Sequence, residues 1–202
     1  MAFSSSPLIS ELFHQSASLI YMYRDEPFQL VSGQMSNHYF NCKKITLHPG
    51  RLSLLAKSIR DEVLPQASLP LPKAAGGLTL GADPIAYSFS LACYEKGHLC
   101  MPVVVRKEAK GHGTARQIEG DLTGIDEVLV FDDVITTAGS TIKAVNALRD
   151  AGFKVNHAVC IVDRQEGGEE ALRQQKITLH SLKSLIFPAR NKRVSITLQS
   201  TT

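Results

Sequence analysis

The sequence predicts an α/β fold in which a mostly parallel β-sheet is flanked by helices. Three segments have the apolar composition of buried strands: "LCMPVVV", "DEVLVF" and "HAVCIV". Segments with helical spacing of apolar residues precede the first of them and separate the second from the third, and this alternation is typical of parallel strands that are covered on both faces. A chain of 202 residues with 44% hydrophobic residues is long enough to form one domain with a substantial core.

The composition favours a soluble, cytoplasmic protein. The formal charge of +3 is too small to demand or exclude a polyanionic partner, and we expect neither nucleic-acid nor membrane binding. No apolar run approaches the roughly 18 residues of a membrane-spanning helix. The cysteines form no CxxC pair, which disfavours disulfide and zinc sites and favours a reducing compartment: Cys42, Cys93, Cys100 and Cys160.

Residues 1–50 are predicted to form an N-terminal helix and a small hood. The first 28 residues lack a basic leader and carry Glu11 and His14 within their apolar stretch, which indicates an amphipathic helix and not a signal peptide. The following "FQLVSGQMSNHYFNCKKITL" mixes β-forming residues with two turn signals, which predicts a hairpin or short strands. The break at Pro49-Gly50 separates this region from a core of residues 51–187, and a polar tail of residues 188–202 completes what we expect to be a single domain.

The core is predicted to alternate helices and strands in order. It begins with the helix "RLSLLAKSIRDEVL" and continues with a short strand, the Gly-rich turn "GGLTLGAD" and a helix capped by Asp83 with Pro84 at its first position. After the second and third strands comes the helix "STIKAVNALRDAG", closed by Gly152. The fourth strand precedes the helix "GGEEALRQQ" and the final short strand "ITLHSL".

Polar residues follow four of the predicted strands, at the point where each strand ends. Three ends carry charged pairs, and the fourth carries the Gly-rich turn: Arg106-Lys107, Asp132-Asp133, Asp163-Arg164 and "GGLTLGAD". Because ligands of open parallel sheets bind at the carboxyl ends of the strands, we expect these four ends to form one site.

The segment "DDVITTAGST" has the chemistry of a ribose 5-phosphate site. Its backbone amides and the hydroxyls of Thr136, Thr137 and Ser140 precede a predicted helix, and such a turn binds anions. Asp132 and Asp133 suit the vicinal hydroxyls of a ribose, or a magnesium ion reached directly or through water. The alternative, in which Asp133 caps the turn and the hydroxyls satisfy local backbone, is the weaker reading behind so apolar a strand.

The basic segment of residues 106–120 predicts a lid. Gly111 and Gly113 lie among its five basic groups, and it has little apolar content; the basic groups are Arg106, Lys107, Lys110, His112 and Arg116. Such a segment would neutralise charge on a pyrophosphate leaving group and exclude water, whereas the usual meaning of a charge run is a solvated surface loop.

Two strand ends stay open to simpler explanations. The turn "GGLTLGADP" permits close approach of a second anion, yet a tight strand-to-helix turn without a ligand explains it as well. Arg164 has the geometry to bind a carboxylate or an imide edge, or to form an ion pair with Asp163 or Glu166.

Taken together, these segments resemble the orotate phosphoribosyltransferase family over roughly residues 10 to 185. "VLVFDDVITTAGST" is similar to the phosphoribosyl pyrophosphate motif of type I phosphoribosyltransferases, and "RKEAKGHG" to the catalytic lid of the orotate enzymes. "FQLVSGQMSNHYFNCKK" resembles their substrate hood, and "DRQEGG" the stretch whose arginine contacts orotate. The resemblance implies a type I phosphoribosyltransferase fold and the joining of orotate to phosphoribosyl pyrophosphate in the synthesis of UMP.

The resemblance also implies roles for individual residues. Asp132 and Asp133 would contact the ribose hydroxyls, and the following residues would hold the 5-phosphate: Val134, Ile135, Thr136, Thr137, Ala138, Gly139 and Ser140. Four basic residues would bind pyrophosphate: Arg106, Lys107, Lys110 and His112. The catalytic set would be Lys110, His112, Asp132 and Asp133, and orotate would be oriented by Thr136, Arg164, Tyr39 and Phe40.

The same resemblance implies a cofactor and a partner. Mg²⁺ would be held mainly through substrate and water, without a dedicated set of protein ligands. The enzyme would be a homodimer in which Lys110 and His112 reach across from the neighbouring subunit to complete its site.

Three positions depart from the family pattern. Val31 occupies a position where many members carry lysine, and Gly81 one where some members do. Ala138 occupies a position where glycine is common. If residue 138 requires a positive φ, alanine there carries a steric cost of roughly 1 kcal/mol or more.

Two other functions remain open at this point. A non-catalytic phosphoribosyl-binding regulator should carry a basic recognition segment for nucleic acid, and beyond the lid none is found. A transferase for a purine or uracil base should have a different hood and no need for Arg164.

Overall fold

The computed structural model describes residues 6–29, 35–108 and 117–184 of the chain. The helices are α1 (Pro7–Ile20), α2 (Lys43–Thr46), α3 (Pro49–Ser58), α4 (Leu64–Gln66), α5 (Asp83–Tyr94), α6 (Gly139–Asp150) and α7 (Gly168–Gln174). The strands are β1 (Tyr21–Gln29), β2 (Met35–Phe40), β3 (Ala74–Leu78), β4 (Met101–Val105), β5 (Ile118–Glu119), β6 (Leu129–Ile135), β7 (His157–Asp163) and β8 (Thr178–Ser184). A π-helical turn, Ile59–Val63, joins α3 to α4.

A six-stranded sheet forms the centre of the molecule, with the order β5-β4-β3-β6-β7-β8. Every neighbouring pair is parallel except β4 and β5. The predicted α/β fold with a mostly parallel sheet is therefore confirmed. From β3 the chain first adds β4 on one side and then adds β6, β7 and β8 on the other, so the topological switch point lies between β3 and β6.

Apolar side chains cover both faces of the sheet. One cluster joins α1, α3 and α5 to the sheet, and in it the rings of Phe89 and Phe131 meet edge to face at 5.3 Å. The other cluster packs α6 and α7 against the opposite face, with Leu148 and Leu172 fully buried. Because Leu12 and Phe13 of α1 belong to the first cluster, the N-terminal helix is part of the core.

Two glycines let strand β3 sit in the middle of the sheet. A Cβ on Gly76 would lie 1.8 Å from the carbonyl oxygen of Val103, and one on Gly77 would lie 2.3 Å from that of Phe131. Both contacts are with backbone, which has no room to move. Glycine is therefore required at both positions for β3 to lie against its neighbours.

The structure corrects three local predictions. The N-terminal helix ends at Ile20, and residues 21–29, part of which the sequence assigned to that helix, form the first strand of the hood hairpin (β1 and β2). Asp83 is the first residue of α5 instead of its cap, and it accepts a hydrogen bond of 2.6 Å from the Thr79 hydroxyl. The short strand β5 was not predicted at all. Gly152, by contrast, follows α6 with a φ of +93°, as expected for a helix-ending glycine.

No helix within the described residues is long and apolar enough to cross a membrane.

Candidate active site

The predicted polar strand ends do converge on the carboxyl edge of the sheet, but the two aspartates lie inside strand β6. Asp132 pairs with Cys160 of β7, and the strand continues to Ile135, which pairs with Asp163. The sequence placed Asp132 and Asp133 after the strand because it read the change from apolar to charged residues as the strand end. The backbone that carries the two carboxylates is therefore part of the sheet and not of a loop.

Asp132 is a buried carboxylate with two internal donors. The residue is only 9% exposed. Its Oδ1 accepts a hydrogen bond of 2.9 Å from the Asp133 backbone N–H, and its Oδ2 accepts one of 2.7 Å from the Thr141 hydroxyl. Burial, followed by the nearby charge of Asp133, raises the pKa of Asp132 to about 7, and the two hydrogen bonds oppose that rise. Asp133 is half-buried, with Oδ1 accepting the Val134 N–H at 2.8 Å.

The phosphate loop (residues 136–140) leads directly into helix α6. Ala138 adopts a left-handed conformation with φ of +63°, so the condition under which alanine carries a steric cost at this position is met. Thr137, Gly139 and Ser140 are exposed, while Val134 and Thr136 are half-buried and Ile135 is buried beneath them. The first two residues of a 12-residue helix are thus exposed, and the start of a helix, whose first N–H groups lack intrahelical partners, is suited to binding an anion.

The start of α7 supports this loop from below. A Cβ on Gly168 would lie 2.4 Å from Cγ2 of Ile135 and 2.5 Å from the carbonyl oxygen of Thr136. The backbone N–H of Arg164 donates to the Ile135 carbonyl oxygen at 2.9 Å. The phosphate loop and the segment after β7 are therefore in direct backbone contact.

The Gly-rich turn after β3 closes the other side of the site. A Cβ on Gly81 would lie 3.0 Å from Oδ1 of Asp133 and 3.2 Å from Oδ1 of Asp132. The peptide bond between Thr79 and Leu80 in this turn is cis. Gly81 therefore lies beside both carboxylates at the switch point, where open α/β sheets bind ligands.

Arg164 contacts Glu166, which is two residues away in the chain, and also the distant hood hairpin. The residue is 3% exposed, and its NH2 group lies 2.7 Å from Oε1 of Glu166 and donates to the Ser36 hydroxyl at 3.0 Å. Its Cζ atom lies 5.8 Å from the centre of the Phe40 ring. Burial lowers the pKa of Arg164, and the Glu166 carboxylate opposes that shift. Of the two ion pairs that the sequence allowed, the structure contains the one with Glu166.

The hood hairpin presents Phe40, and not Tyr39, to Arg164. Ser36, His38 and Phe40 alternate along β2 and share one face, on which the Tyr21 hydroxyl lies 2.8 Å from Nδ1 of His38. Tyr39 points to the other face, where its ring lies 5.3 Å from that of Phe28. Burial, with the charge of Arg164, lowers the pKa of His38. Of the two predicted aromatic contacts, the structure thus brings only Phe40 to Arg164.

The described part of the lid is its base. The Arg106 N–H donates to the Gln117 carbonyl oxygen at 2.8 Å, and the Gln117 side chain donates back to the Arg106 carbonyl oxygen at 3.0 Å. Arg106 also forms an ion pair of 3.2 Å with Glu119. A cavity of about 660 Å³ is lined here by Thr79, Tyr87, Val104, Arg106, Lys107, Glu108 and Glu119. The predicted residues Lys110, His112 and Arg116, and also Val31, lie outside the described residues.

The sequence analysis missed the roles of two residues of the site, Ser36 and Thr141. Ser36 was read only as a turn signal, although strand alternation places it on the same face as Phe40. Thr141 is the last residue of the segment that matched the phosphate motif, but no role was assigned to it, because its spacing from Asp132 carries no sequence signal.

Comparisons with known proteins place the chain among its relatives. No protein-family model matches it. An orotate phosphoribosyltransferase of Leptospira biflexa is 52% identical over 171 residues, which cover 85% of this chain and 92% of that protein. The chain belongs to the orotate phosphoribosyltransferase family. The family member of Aquifex aeolicus is 44% identical over 162 residues, covering 80% of this chain and 86% of that protein.

Solved structures of orotate phosphoribosyltransferases share the fold. The Mycobacterium tuberculosis enzyme in complex with Fe(III) dicitrate superposes with a TM-score of 0.72 at 33% identity, covering 89% of this chain and 97% of that one. The same enzyme in complex with phosphoribosyl pyrophosphate gives a TM-score of 0.70 at 28% identity, covering 92% and 95%. An adenine phosphoribosyltransferase of Leishmania donovani, at 18% identity and a TM-score of 0.58, shares the fold alone.

The activity follows from membership of the orotate phosphoribosyltransferase family. It is a pentosyl transfer in pyrimidine biosynthesis, in which orotate and phosphoribosyl pyrophosphate give orotidine 5′-phosphate and pyrophosphate. The non-catalytic regulator and the transferase for another base, which the sequence left open, are thereby set aside.

Proposed function

We propose that three parts of the carboxyl edge bind the ribose 5-phosphate, the orotate and the pyrophosphate respectively. Asp132 and Asp133 bind the ribose hydroxyls, and the phosphate loop with Val134 and Ile135 beneath it binds the 5-phosphate. The exposed residues Gly139 and Ser140 at the start of α6, and the left-handed turn at Ala138 that precedes them, support this assignment. This is the observation that carries the proposal, because a diol and a phosphate site side by side fit a phosphoribosyl group.

Orotate is bound between the hood hairpin and the segment after β7. Arg164 contacts the hood through Ser36 and Phe40, and a guanidinium suits the carboxylate of orotate. Thr136, whose carbonyl oxygen lies beside Gly168, orients the base from the phosphate-loop side. Tyr39 acts from the outer face of the hairpin, where it packs with Phe28 and stiffens the hood.

Pyrophosphate is bound at the lid base and by the lid itself. Arg106 and Lys107 line the cavity at the end of β4, and Lys110 and His112 complete the cationic surface when the lid covers it. Positive groups placed where negative charge develops on the leaving group lower the barrier for its departure. The ring nitrogen of orotate then attacks C1 of the sugar, for which the protein supplies positioning and not a covalent intermediate.

The reaction requires Mg²⁺ held mainly through substrate and water. Among the described residues, no group of three or more His, Cys, Asp or Glu side chains is arranged to hold a metal ion, whereas the half-buried Asp133 offers one or two oxygens to a hydrated ion. Mg²⁺ characteristically binds in this way, with few carboxylates, several waters and the phosphates of the substrate. When bound, it would neutralise charge on the pyrophosphate.

The enzyme works as a homodimer in the cytoplasm. Helix α5 carries an apolar stripe, the α5 stripe (Tyr87, Leu91 and Tyr94), whose members are 49%, 66% and 69% exposed and lie on one helical face. A second copy that covers this stripe would stand beside the lid-base cavity, since Tyr87 lines both, and could supply its lid to that site. The four buried free thiols suit a reducing compartment.

One assay tests the proposal as a whole. Orotate absorbance is followed with phosphoribosyl pyrophosphate, with and without Mg²⁺, while uracil and purine bases are tried in parallel. We expect loss of the orotate signal only in the complete mixture. Turnover of another base, or turnover that withstands exhaustive chelation of divalent ions, would contradict the substrate or the metal assignment respectively.

A further inference from the structure

Thr141 connects the phosphate-loop helix to the buried carboxylate of β6. It is the third residue of α6 and is 1% exposed, and its hydroxyl donates to Oδ2 of Asp132 at 2.7 Å. The hydrogen bond is therefore sealed from water and joins the helix whose first turn faces the proposed 5-phosphate to one of the two proposed ribose ligands.

The two neighbouring carboxylates are held differently. Asp132 receives a donor on each oxygen, from Thr141 and from the Asp133 backbone, whereas Asp133 receives its hydrogen bond from the next residue along the chain. Asp132 is thus tied across the structure to another element, while Asp133 is tied only locally. The start of α6 is therefore joined to Asp132 through the Thr141 side chain.

We propose that Thr141 is a positioning residue that couples binding of the 5-phosphate to binding of the ribose diol. The inference rests on the function proposed above for the phosphate loop and for Asp132. Phosphate bound at the start of α6 fixes that helix, and the Thr141 hydroxyl then holds the Asp132 carboxylate in the orientation that accepts the sugar hydroxyls. Thr141 itself contacts neither group.

Replacement by valine removes the donor and keeps the shape of the side chain. Hydrogen bonds to charged groups are strong, and a buried carboxylate that loses one is free to rotate away from its ligand. We therefore expect T141V to lose recognition of the sugar hydroxyls on the order of tenfold in affinity, with phosphate binding retained. T141S keeps a hydroxyl at the same atom and is the matched control.

The experiment compares two sugar phosphates by calorimetry at pH 8. Ribose 5-phosphate and 2-deoxyribose 5-phosphate share the phosphate and differ by one hydroxyl, so the ratio of their dissociation constants reports recognition of that hydroxyl. The ratio is measured on one folded protein, and so a general loss of stability does not move it. We expect wild type and T141S to prefer ribose 5-phosphate, and T141V to bind both sugar phosphates nearly equally.

The possible outcomes distinguish a failure of the role proposed for Thr141 from a failure of the function proposed for Asp132 and the phosphate loop. A T141V protein with the wild-type ratio overturns the coupling role, and so does a T141S protein that loses the ratio as fully as T141V, since packing would then explain the effect. If wild type binds both ligands alike or neither of them, the assignment of Asp132 and the phosphate loop fails first, and the inference fails with it.

Discussion

At the scale of single residues, the site contains groups held in unfavourable states. Ala138 occupies left-handed backbone, and Asp132 is a carboxylate buried beside another carboxylate. Each lowers the free energy of unfolding, and both lie at the carboxyl edge where the substrate is proposed to bind. Strain that the fold tolerates at a binding site is common, because the same geometry prepares the site for its ligand.

Ala138→Gly should stabilise the protein. Glycine adopts a φ of +63° without steric cost, so we expect a gain of roughly 1 kcal/mol in the free energy of unfolding and a melting temperature about 2–4 °C higher. The control is Ala151→Gly at a φ of −84°, where glycine should destabilise. Thermal unfolding checks both, and two variants that change the melting temperature in the same direction would contradict the strain argument.

Asp132→Asn should flatten the dependence of stability on pH. Because the folded pKa of Asp132 is raised to about 7, above an unfolded value of about 3.9, wild type loses stability as the pH rises between those values. The stabilising contribution is fully present below about pH 4 and fully lost above about pH 7. Asparagine does not ionise, so the variant should gain relative to wild type towards pH 8.

Urea unfolding at pH 5 and pH 8 measures this effect. The exposed Asp126 provides the control, since Asp126→Asn should follow the wild-type curve. A difference between wild type and Asp132→Asn that stays constant across this range would show that Asp132 is charged throughout.

At the scale of elements, neighbouring segments make the site by direct backbone contact. The start of α7 lies under the phosphate loop at Gly168, and the turn after β3 lies against both aspartates at Gly81. These contacts are closer than side chains allow, which explains why glycines cluster around the site.

Gly168→Ala should displace the phosphate loop. The new Cβ would meet Ile135 and the Thr136 carbonyl oxygen at 2.4 and 2.5 Å, and the loop is the part with freedom to shift. We expect the KM for phosphoribosyl pyrophosphate to rise on the order of tenfold or more, because a cost of about 1.4 kcal/mol in binding is a factor of ten.

Gly167→Ala is the matched control for that change. Gly167 has a φ of +93° and no atom within 4 Å of a built Cβ, so alanine there adds backbone strain without a collision. Its stability should fall by roughly 1 kcal/mol while its KM stays near wild type. Equal KM values for the two variants would mean that α7 does not support the loop.

The elements also show where the sequence was sufficient. Long apolar strands and the Gly152 stop signal were predicted because burial on both faces and a left-handed helix end leave strong patterns. Strand β5 has two residues, too few for a periodicity, and β1 begins directly where α1 ends, without a breaking residue. The site residues were identified where a sequence motif contained them. The side of the hairpin on which Tyr39 lies depends on strand register, and the hydrogen bond from Thr141 to Asp132 depends on tertiary packing, so neither could be predicted.

At the scale of the whole molecule, the α5 stripe is an exposed apolar surface of the kind that a second subunit covers. Three large apolar side chains in one row are exposed, and the first of them, Tyr87, also lines the lid-base cavity. A second copy on this surface would bury them and bring a lid to each site.

Leu91→Lys should therefore yield monomers. The charge lies at the middle of the α5 stripe, and burying it without a partner opposes association. Sedimentation should give one subunit for this variant and two for wild type. Leu47→Lys, at a leucine that is 70% exposed on another element, should remain dimeric. Dissociation of both variants, or of neither, would move the interface away from α5.

A mixture of two inactive variants should regain activity if the lid is shared. In a hybrid of Lys110→Ala and Arg164→Ala subunits, the site on the first subunit combines an intact Arg164 with the intact lid of the second. The other site carries both defects and stays inactive. We expect about a quarter of wild-type activity after random exchange of subunits, from statistics alone and with each hybrid retaining one of two sites. Mixtures no more active than their components would place each lid over its own subunit's site.

The contact between Arg164 and Ser36 joins residues 128 positions apart in the chain. Apart from Thr136, the parts proposed to bind the base are thus encoded separately from the contiguous stretch of β6 and α6 proposed to bind sugar and phosphate. Over evolution, the hood can diverge while that stretch is inherited intact. A library that aims at a new nucleobase should accordingly randomise the inner face of β2 and leave β3 and the phosphate loop unchanged.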